Sequence, residues 1–288
     1  MKLPPFDYAC PATLSEAVQL LATHDGEAKA VAGGQSLVPM LAFRLARPTL
    51  LVDLRKLADL RGIKISEKGV TLGAMVRWRD IEDDDRLDTA HPLLKTAIAN
   101  VAHYQVRNRG TVGGSLAHAD PAAEMPGIAI TCDAEIAVVG KSGARVIQAA
   151  DFFQGALTTA LTPDEIIVEV RLPAWPKGRR WGFEEFARRR GDFAMAGAAG
   201  FYDQNDGKAR NAHVGVIGVA DRPLRLPSVE AALNGRIIDQ AAIAAAEAAT
   251  CAAVDPQDDI HASAAYRRAL VGTMVERALQ RAAARPQQ

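Results

Sequence analysis

The sequence is poor in cysteine and in aromatic residues, and it has no excess of charge of either sign. Its three cysteines, Cys10, Cys132 and Cys251, stand far apart in 288 residues, with no CxxC pair and no cluster spacing. The chain is therefore expected to hold no iron–sulfur centre of its own, and three reduced thiols are the simplest reading. Lys plus Arg and Asp plus Glu both number 34, so the formal net charge is zero. That balance points to neither nucleic acid nor an anionic membrane as a partner. No uncharged apolar run is long enough to span a bilayer. The stretch MKLPPFDYACPATLSEAV lacks the apolar segment of a signal peptide, so the cytoplasm is the expected location. Two nucleotide-binding signatures are also missing. Without GxGxxG after a strand a Rossmann site is not expected, and without GxxxxGK[ST] neither is a P-loop.

What is present reads as three units, within the two or three that this length allows. Thr13-Leu-Ser-Glu16 is a capping-box pattern opening a helix to about Ala22. Asp25-Gly26 turns the chain into a strand over Ala28–Ala32, LVPMLAFRLA follows as a short helix, and Leu50–Leu54 reads as another strand. This alternation predicts a small parallel α/β unit over residues 1–57. A second, α+β unit is expected over 58–176. It has hairpins turning at Glu67-Lys68-Gly69 and Lys141-Ser142-Gly143, a helix from Pro92 to about Val101, and a strand over Ile166–Leu172. Pro173–Gly178 reads as a linker. Residues 177–288 then read as an antiparallel sheet with helices. Strands are expected over Trp181–Arg188, Ala194–Tyr202 and Ala209–Val219, and helices over Gln240–Ala253 and His261–Ala284.

Two glycine pairs stand out. Gly33 and Gly34 follow the strand in AKAVAGGQSLVPML, and Gly113 and Gly114 recur in RNRGTVGGSLAHADPAAE. Successive N–H groups in a glycine turn can form a concave nest for phosphate oxygens, and a missing Cβ lets the phosphate come close. Ser36 and Ser115 each add a hydroxyl. Two such loops could hold a dinucleotide from opposite sides. The same residues also fit two ordinary tight turns.

The motifs AVAGGQSLVPML, RNRGTVGGSLAHADPAAE and RRRGDFAMAGAA resemble those of the FAD-binding medium subunits of molybdenum hydroxylases. That family includes carbon monoxide dehydrogenase and the quinoline and caffeine oxidoreductases, with the flavin domain of xanthine dehydrogenase. The resemblance runs from PPFDY to DIHASAAYRRALV. It implies an α+β chain in which an FAD-binding domain of the xanthine-dehydrogenase type precedes an antiparallel sheet with helices. It implies FAD between Ala32, Gly33, Gly34, Gln35, Ser36 and Leu37 on one side and Thr111, Gly113, Gly114 and Ser115 on the other. His103, His118, Asp120 and Glu124 are further candidates, as is Phe193 beside the flavin ring. Three positions depart from the common pattern: Gln35 where His is frequent, Glu124 where Asp is frequent, and Phe193 where Tyr is frequent. The implied activity is electron transfer from an Fe–S subunit through FAD to an external acceptor. A large molybdopterin subunit would hydroxylate the substrate, in a dimer of heterotrimers, and no protein side chain need act as acid or base.

Other readings of these residues remain open. His118, Asp120 and Glu124 suit a metal by ligand type. An N-capping Asp120 before Pro121, with Glu124 in the first turn of a helix, explains the carboxylates without one. Arg107 and Arg109 could face phosphate or solvent, and Arg188-Arg189-Arg190 could meet an acidic partner or form a solvated turn. A stand-alone flavin oxidoreductase and a non-catalytic nucleotide-binding module are the alternative functions.

Overall fold

The computed structural model describes residues 2–285. Thr13 caps the first helix, its hydroxyl accepting the Glu16 N–H at 3.2 Å; the Glu16 carboxylate accepts the Ala12 N–H at 3.0 Å, one residue before the cap, so only the Thr13 half of the expected capping box forms. The helix Leu14–Thr23 buries Ala17, Val18 and Leu21. It lies on a parallel sheet of β1 (Asp7–Ala9), β2 (Ala28–Val31) and β3 (Leu50–Asp53), in the order β1-β3-β2. Strand β1 escapes a reading by pattern, because three residues behind two prolines carry no periodicity. It is fixed by pairing with β3 and by the Tyr8 hydroxyl, which donates to Asp53 at 2.7 Å.

The next sheet is antiparallel throughout. It comprises β4 (Ile63–Ser66), β5 (Gly69–Gly73), β6 (Glu135–Gly140) and β7 (Gly143–Gln148). A small ribbon of β8 (Phe153–Gly155) and β9 (Thr158–Thr159) leads into β10 (Ile166–Pro173). The order is β4-β5-β10-β6-β7, so both expected hairpins form and β10 returns between them. Between β5 and β6 lies a run of short helices, most of them too short for a periodic signal. Two matter for the cleft: Val112–His118 and Glu124–Thr131. The expected helix from Pro92 ends at Ile98, and its cap is the buried His91, whose Nδ1 accepts the Leu94 N–H at 3.2 Å. Burial pushes the His91 imidazole down to about 3, so it stays a neutral acceptor.

The last sheet runs in chain order: β11 (Arg180–Phe186), β12 (Ala196–Asn205), β13 (Lys208–Ile217) and β14 (Leu224–Arg225). Both faces of this sheet are covered. Trp181 and Phe183 point into the core shared with β5, β6 and β10. Alternate residues of β11 point the other way, toward the helix Ala264–Ala284: a Cβ on Gly182 would lie 2.0 Å from the Ala278 carbonyl oxygen, and Glu184 pairs with Arg281. Small residues in β12 (Ala196, Gly197, Ala198, Ala199, Gly200) let neighbours approach on either side. The segment expected as a linker is packed. The Trp175 ring centroid lies 4.6 Å from His91 and 5.3 Å from Phe201. Arg179 sits 4.3 Å above the Phe201 ring and bonds Asp203 at 2.8 Å.

Gly182→Val is expected to lower stability by roughly 1–3 kcal/mol, since the obstructing atom is helix backbone and cannot swing aside. Chemical denaturation of the full chain checks this. A neutral result would show that the helix does not lie against β11 as described.

Candidate flavin cleft

Strand β2 ends at Val31, and the chain then enters the first glycine loop. Gly34 takes a left-handed conformation (φ 72°), which favours glycine. The loop runs into the short helix Leu37–Ala42. Among the described residues, the N–H groups of Gly34, Gln35, Ser36 and Leu37 donate to no protein acceptor, although all four residues are half-buried. The Gln35 side chain folds back, its Nε2 donating to the Gly33 carbonyl at 3.2 Å. Four consecutive unsatisfied amides in a half-buried turn call for an acceptor from outside the chain.

The second glycine loop differs from this. Thr111 caps the helix Val112–His118 with its hydroxyl, which accepts the Gly114 N–H at 3.2 Å. The Val112 N–H donates to the Val76 carbonyl at 2.9 Å, the Gly113 N–H to Ala74 at 2.8 Å, and the Ser115 N–H to Thr111 at 3.0 Å. All four amides are thus occupied, and the expected pair of matching nests is a single nest facing a capped helix. The glycines also have different duties. A Cβ on Gly33 would stand 2.0 Å from the Arg109 carbonyl oxygen, and one on Gly113 would stand 2.6 Å from the Ala74 Cβ. Both permit chain to cross chain. Gly114 is more open: its Cβ would meet the Thr111 hydroxyl at 2.8 Å and the Ala32 Cβ at 3.7 Å.

The crossing loops frame a cleft of about 650 Å³, within the roughly 300–1,000 Å³ range of ligand pockets. Ala32, Gly33, Gly34, Gln35, Ser36 and Leu37 line one wall, and Thr111, Gly113, Gly114 and Ser115 line the other. His118, Asp120, Glu124 and Phe193 also border it. His103 does not. Its exposed imidazole lies against the turn at Gly191, where a Cβ would stand 2.5 Å from Nδ1, so His103 meets the site only by bracing the segment that carries Phe193. Phe193 is 58% exposed at the mouth. Asp120 caps a turn and not the helix: its Oδ1 accepts the Ala122 N–H at 2.9 Å, while the helix begins at Glu124 behind Ala123. Arg107 does not line the cleft. It bonds Glu82 at 3.0 Å and the carbonyls of Val101 and Ala102. Arg109 and Arg188–Arg190 are exposed.

Burial pushes the His118 imidazole down, against the opposing effect of Asp120. Glu124 is only 6% exposed, and burial, reinforced by the charge of Glu185, pushes its carboxyl up to about 8. Among the described residues no three His, Cys, Asp or Glu side chains are placed to hold a metal. Pattern reading missed Lys29, Thr158 and Thr159, which also line the cleft. Lys29 is one of four strand residues, and the threonines come from a two-residue strand whose place is set only by the ribbon with β8.

Gly33→Ala is expected to cost roughly 1–3 kcal/mol by forcing the two loops apart, with loss of flavin retention. Gly114→Ala, whose nearest obstacle is a hydroxyl, is expected to disturb the fold less. Thermal unfolding of both variants, with and without added FAD, separates these cases.

Residues 4–175 match the family described as the FAD binding domain in molybdopterin dehydrogenase, and residues 181–282 match the CO dehydrogenase flavoprotein C-terminal domain. The 6-hydroxypseudooxynicotine dehydrogenase complex subunit alpha of Paenarthrobacter nicotinovorans is 39% identical, over 98% of this chain and 96% of that one. The carbon monoxide dehydrogenase medium chain of Hydrogenophaga pseudoflava is 36% identical, over 98% of both chains. Among solved structures, carbon monoxide dehydrogenase from Hydrogenophaga pseudoflava superposes with a TM-score of 0.95 at 38% identity, over 98% of each chain. Quinoline 2-oxidoreductase from Pseudomonas putida 86 gives 0.93 at 38% identity, again over 98% of each. With this cleft between two glycine loops, and with matches along nearly its whole length, the chain belongs to the FAD-binding medium subunits of the molybdenum hydroxylases.

Proposed function

We propose that this chain holds FAD in the cleft between Gly33 and Ser115 and serves as the electron-transfer subunit of a molybdenum hydroxylase complex. The observation that carries the placement is the row of four unsatisfied amides at Gly34–Leu37. Their concave, half-buried arrangement fits the pyrophosphate of a dinucleotide, and the Ser36 hydroxyl adds a donor at the same turn. The opposite wall suits sugar and ribityl hydroxyls, since Asp120, Glu124, Thr158 and Thr159 offer oxygens there. The apolar lining of Met40, Met75, Val106 and Ile166 suits the ring systems. Phe193, on a turn braced by His103, is placed to cover a ring at the mouth. When bound, FAD supplies the capacity to exchange electrons singly or in pairs, and the protein supplies binding, orientation and exclusion of water.

The relatives are named as medium chains or as lettered subunits of dehydrogenase complexes. This supports a small Fe–S subunit and a large molybdopterin subunit as partners, in a dimer of such trimers. In that setting electrons drawn from the Fe–S partner leave through this subunit to an external acceptor. Among the described residues no helix is long and apolar enough to cross a membrane. The proposal takes the complex to assemble in the cytoplasm.

Two outcomes are expected. Phe193→Ala should alter the flavin absorption envelope or midpoint potential while changing stability by less than about 0.5 kcal/mol, since the ring is largely exposed. Spectroelectrochemistry and a denaturation curve together decide this. In the co-expressed complex, anaerobic addition of its organic substrate should bleach the flavin absorbance. A flavin that stays oxidised would sink the relay.

A further inference from the structure

A second cavity, of about 1020 Å³, adjoins the flavin cleft, at the upper end of the roughly 300–1,000 Å³ range of ligand pockets. Asp120, Gly191, Asp192 and Phe193 border both, so the two spaces have one wall in common. The other walls come from the last unit. They are the chain that leaves β13 at Gly218 and the segment from Asp255 to Asp259, between the helices Gln240–Ala253 and Ala264–Ala284. The frame is preformed. Arg267, 8% exposed, donates from Nη1 to the Met195 carbonyl at 2.7 Å and to the Gly218 carbonyl at 2.8 Å, and from Nη2 to Asp259 at 2.6 Å. The Gly218 N–H donates to the Pro121 carbonyl at 2.9 Å, which ties the cavity to the FAD-binding units.

Two features define what fits this space. Ala194 and Val219 line it, and both are buried, 4% and 2% exposed. Among the described residues their N–H groups donate to no protein acceptor, so a ligand atom with a lone pair would satisfy what the fold leaves open. The charge is also one-sided. Arg267 occupies Asp259, and Arg268 pairs with Asp255 at 3.1 Å. Asp120, Asp192, Asp221 and Asp258 remain, against Arg188 and the His261 imidazole. The side chains of Asp192 and Asp221 are exposed and make no ion pair among the described residues. A dinucleotide would bring its phosphates to a wall of carboxylates. Resting on the assignment of FAD to the neighbouring cleft, we propose that this cavity is the electron-exit site and that it takes a cationic heteroaromatic acceptor.

The shared wall gives the site its use. An acceptor seated here is separated from the cleft only by the Gly191–Phe193 turn and Asp120. Its ring nitrogen would accept from the free N–H groups, while the carboxylates attract its positive charge. The acceptor gains two electrons, lost by the cofactor, and one proton from solvent. A monocation thereby becomes neutral. The attraction that holds the oxidised acceptor is thus absent from its reduced form, so the same carboxylates favour binding of the one and release of the other.

The test uses the full flavin-loaded chain in air, so that binding is read without turnover. The probes are methylene blue, a cationic dye, and 2,6-dichlorophenolindophenol, an anionic one, each followed by its visible absorbance. Methylene blue should bind at one saturable site and weaken in high salt, and the anionic dye should not bind. Asp192→Asn and Asp221→Asn should each weaken methylene blue by about threefold, and together by about tenfold. Glu67→Gln, on the exposed β4–β5 turn, should leave it unchanged. In the complex supplied with its organic substrate, the paired Asp variant should raise KM for methylene blue and leave kcat in place. Equal binding of the two dyes, equal loss in Glu67→Gln, or a KM that does not move would each overturn the exit site. The dye pair on the wild-type chain decides the matter alone if the variants do not fold. A chain that retains no FAD would instead overturn the cofactor assignment, so the two failures are distinct.

Discussion

The cleft depends on one close contact, the passage of Gly33 across the carbonyl of Arg109. The first loop belongs to a parallel sheet that closes early in the chain, and the second to helices that follow an antiparallel one. No covalent link fixes their separation. The contact is possible because neither side carries an atom in the way: a Cβ on Gly33 would overlap the Arg109 carbonyl oxygen. Behind it, the Trp78 N–H donates to the Gly110 carbonyl at 3.2 Å, and Arg77 bridges to Thr111, so the second loop is tied to the chain that leaves β5. The row of amides at Gly34–Leu37 can face a defined wall only because this crossing holds the two units at a set distance.

The division of labour between the loops follows from hydrogen-bond accounting. Amides that cap a helix or bond to a neighbouring carbonyl are spent, and a Gly-Gly pair alone does not say which kind it holds. At Gly113 and Gly114 the neighbours Ala74 and Thr111 settle the matter. At Gly34 the left-handed turn leaves its N–H and the next three pointing where no chain follows.

Much of this was legible in the order of residues. The Thr13 cap, both hairpin turns and the long final helix are local features, and each is found close to its expected place. The motif resemblance pointed to a cleft that does gather Ala32–Leu37, Thr111, Gly113, Gly114, Ser115, His118, Asp120, Glu124 and Phe193. Other features were not legible, because they are made by distant partners. Strand β1 exists by pairing with β3. Trp175 is ordered by rings from His91 and Phe201, though its prolines suggest a linker. His103 looked like a cofactor neighbour, and it instead supports Gly191 from outside.

The turn carrying Phe193 belongs to the last sheet, while the amide row belongs to the first. A ligand seated in the cleft would touch both, in addition to His103 against Gly191 and the core that the last sheet shares with β5, β6 and β10. Occupancy would therefore reinforce a docking that the shared core already holds, with the ligand acting as a mortar between the walls. At a hundredfold excess over its dissociation constant such a ligand would add about 2.7 kcal/mol to the closed arrangement. The order in which a newly made chain meets its ligand and its neighbours then matters: a filled cleft would back the Phe193 ring at the mouth, whereas in an empty one the Arg188–Phe193 edge rests on the His103 brace alone.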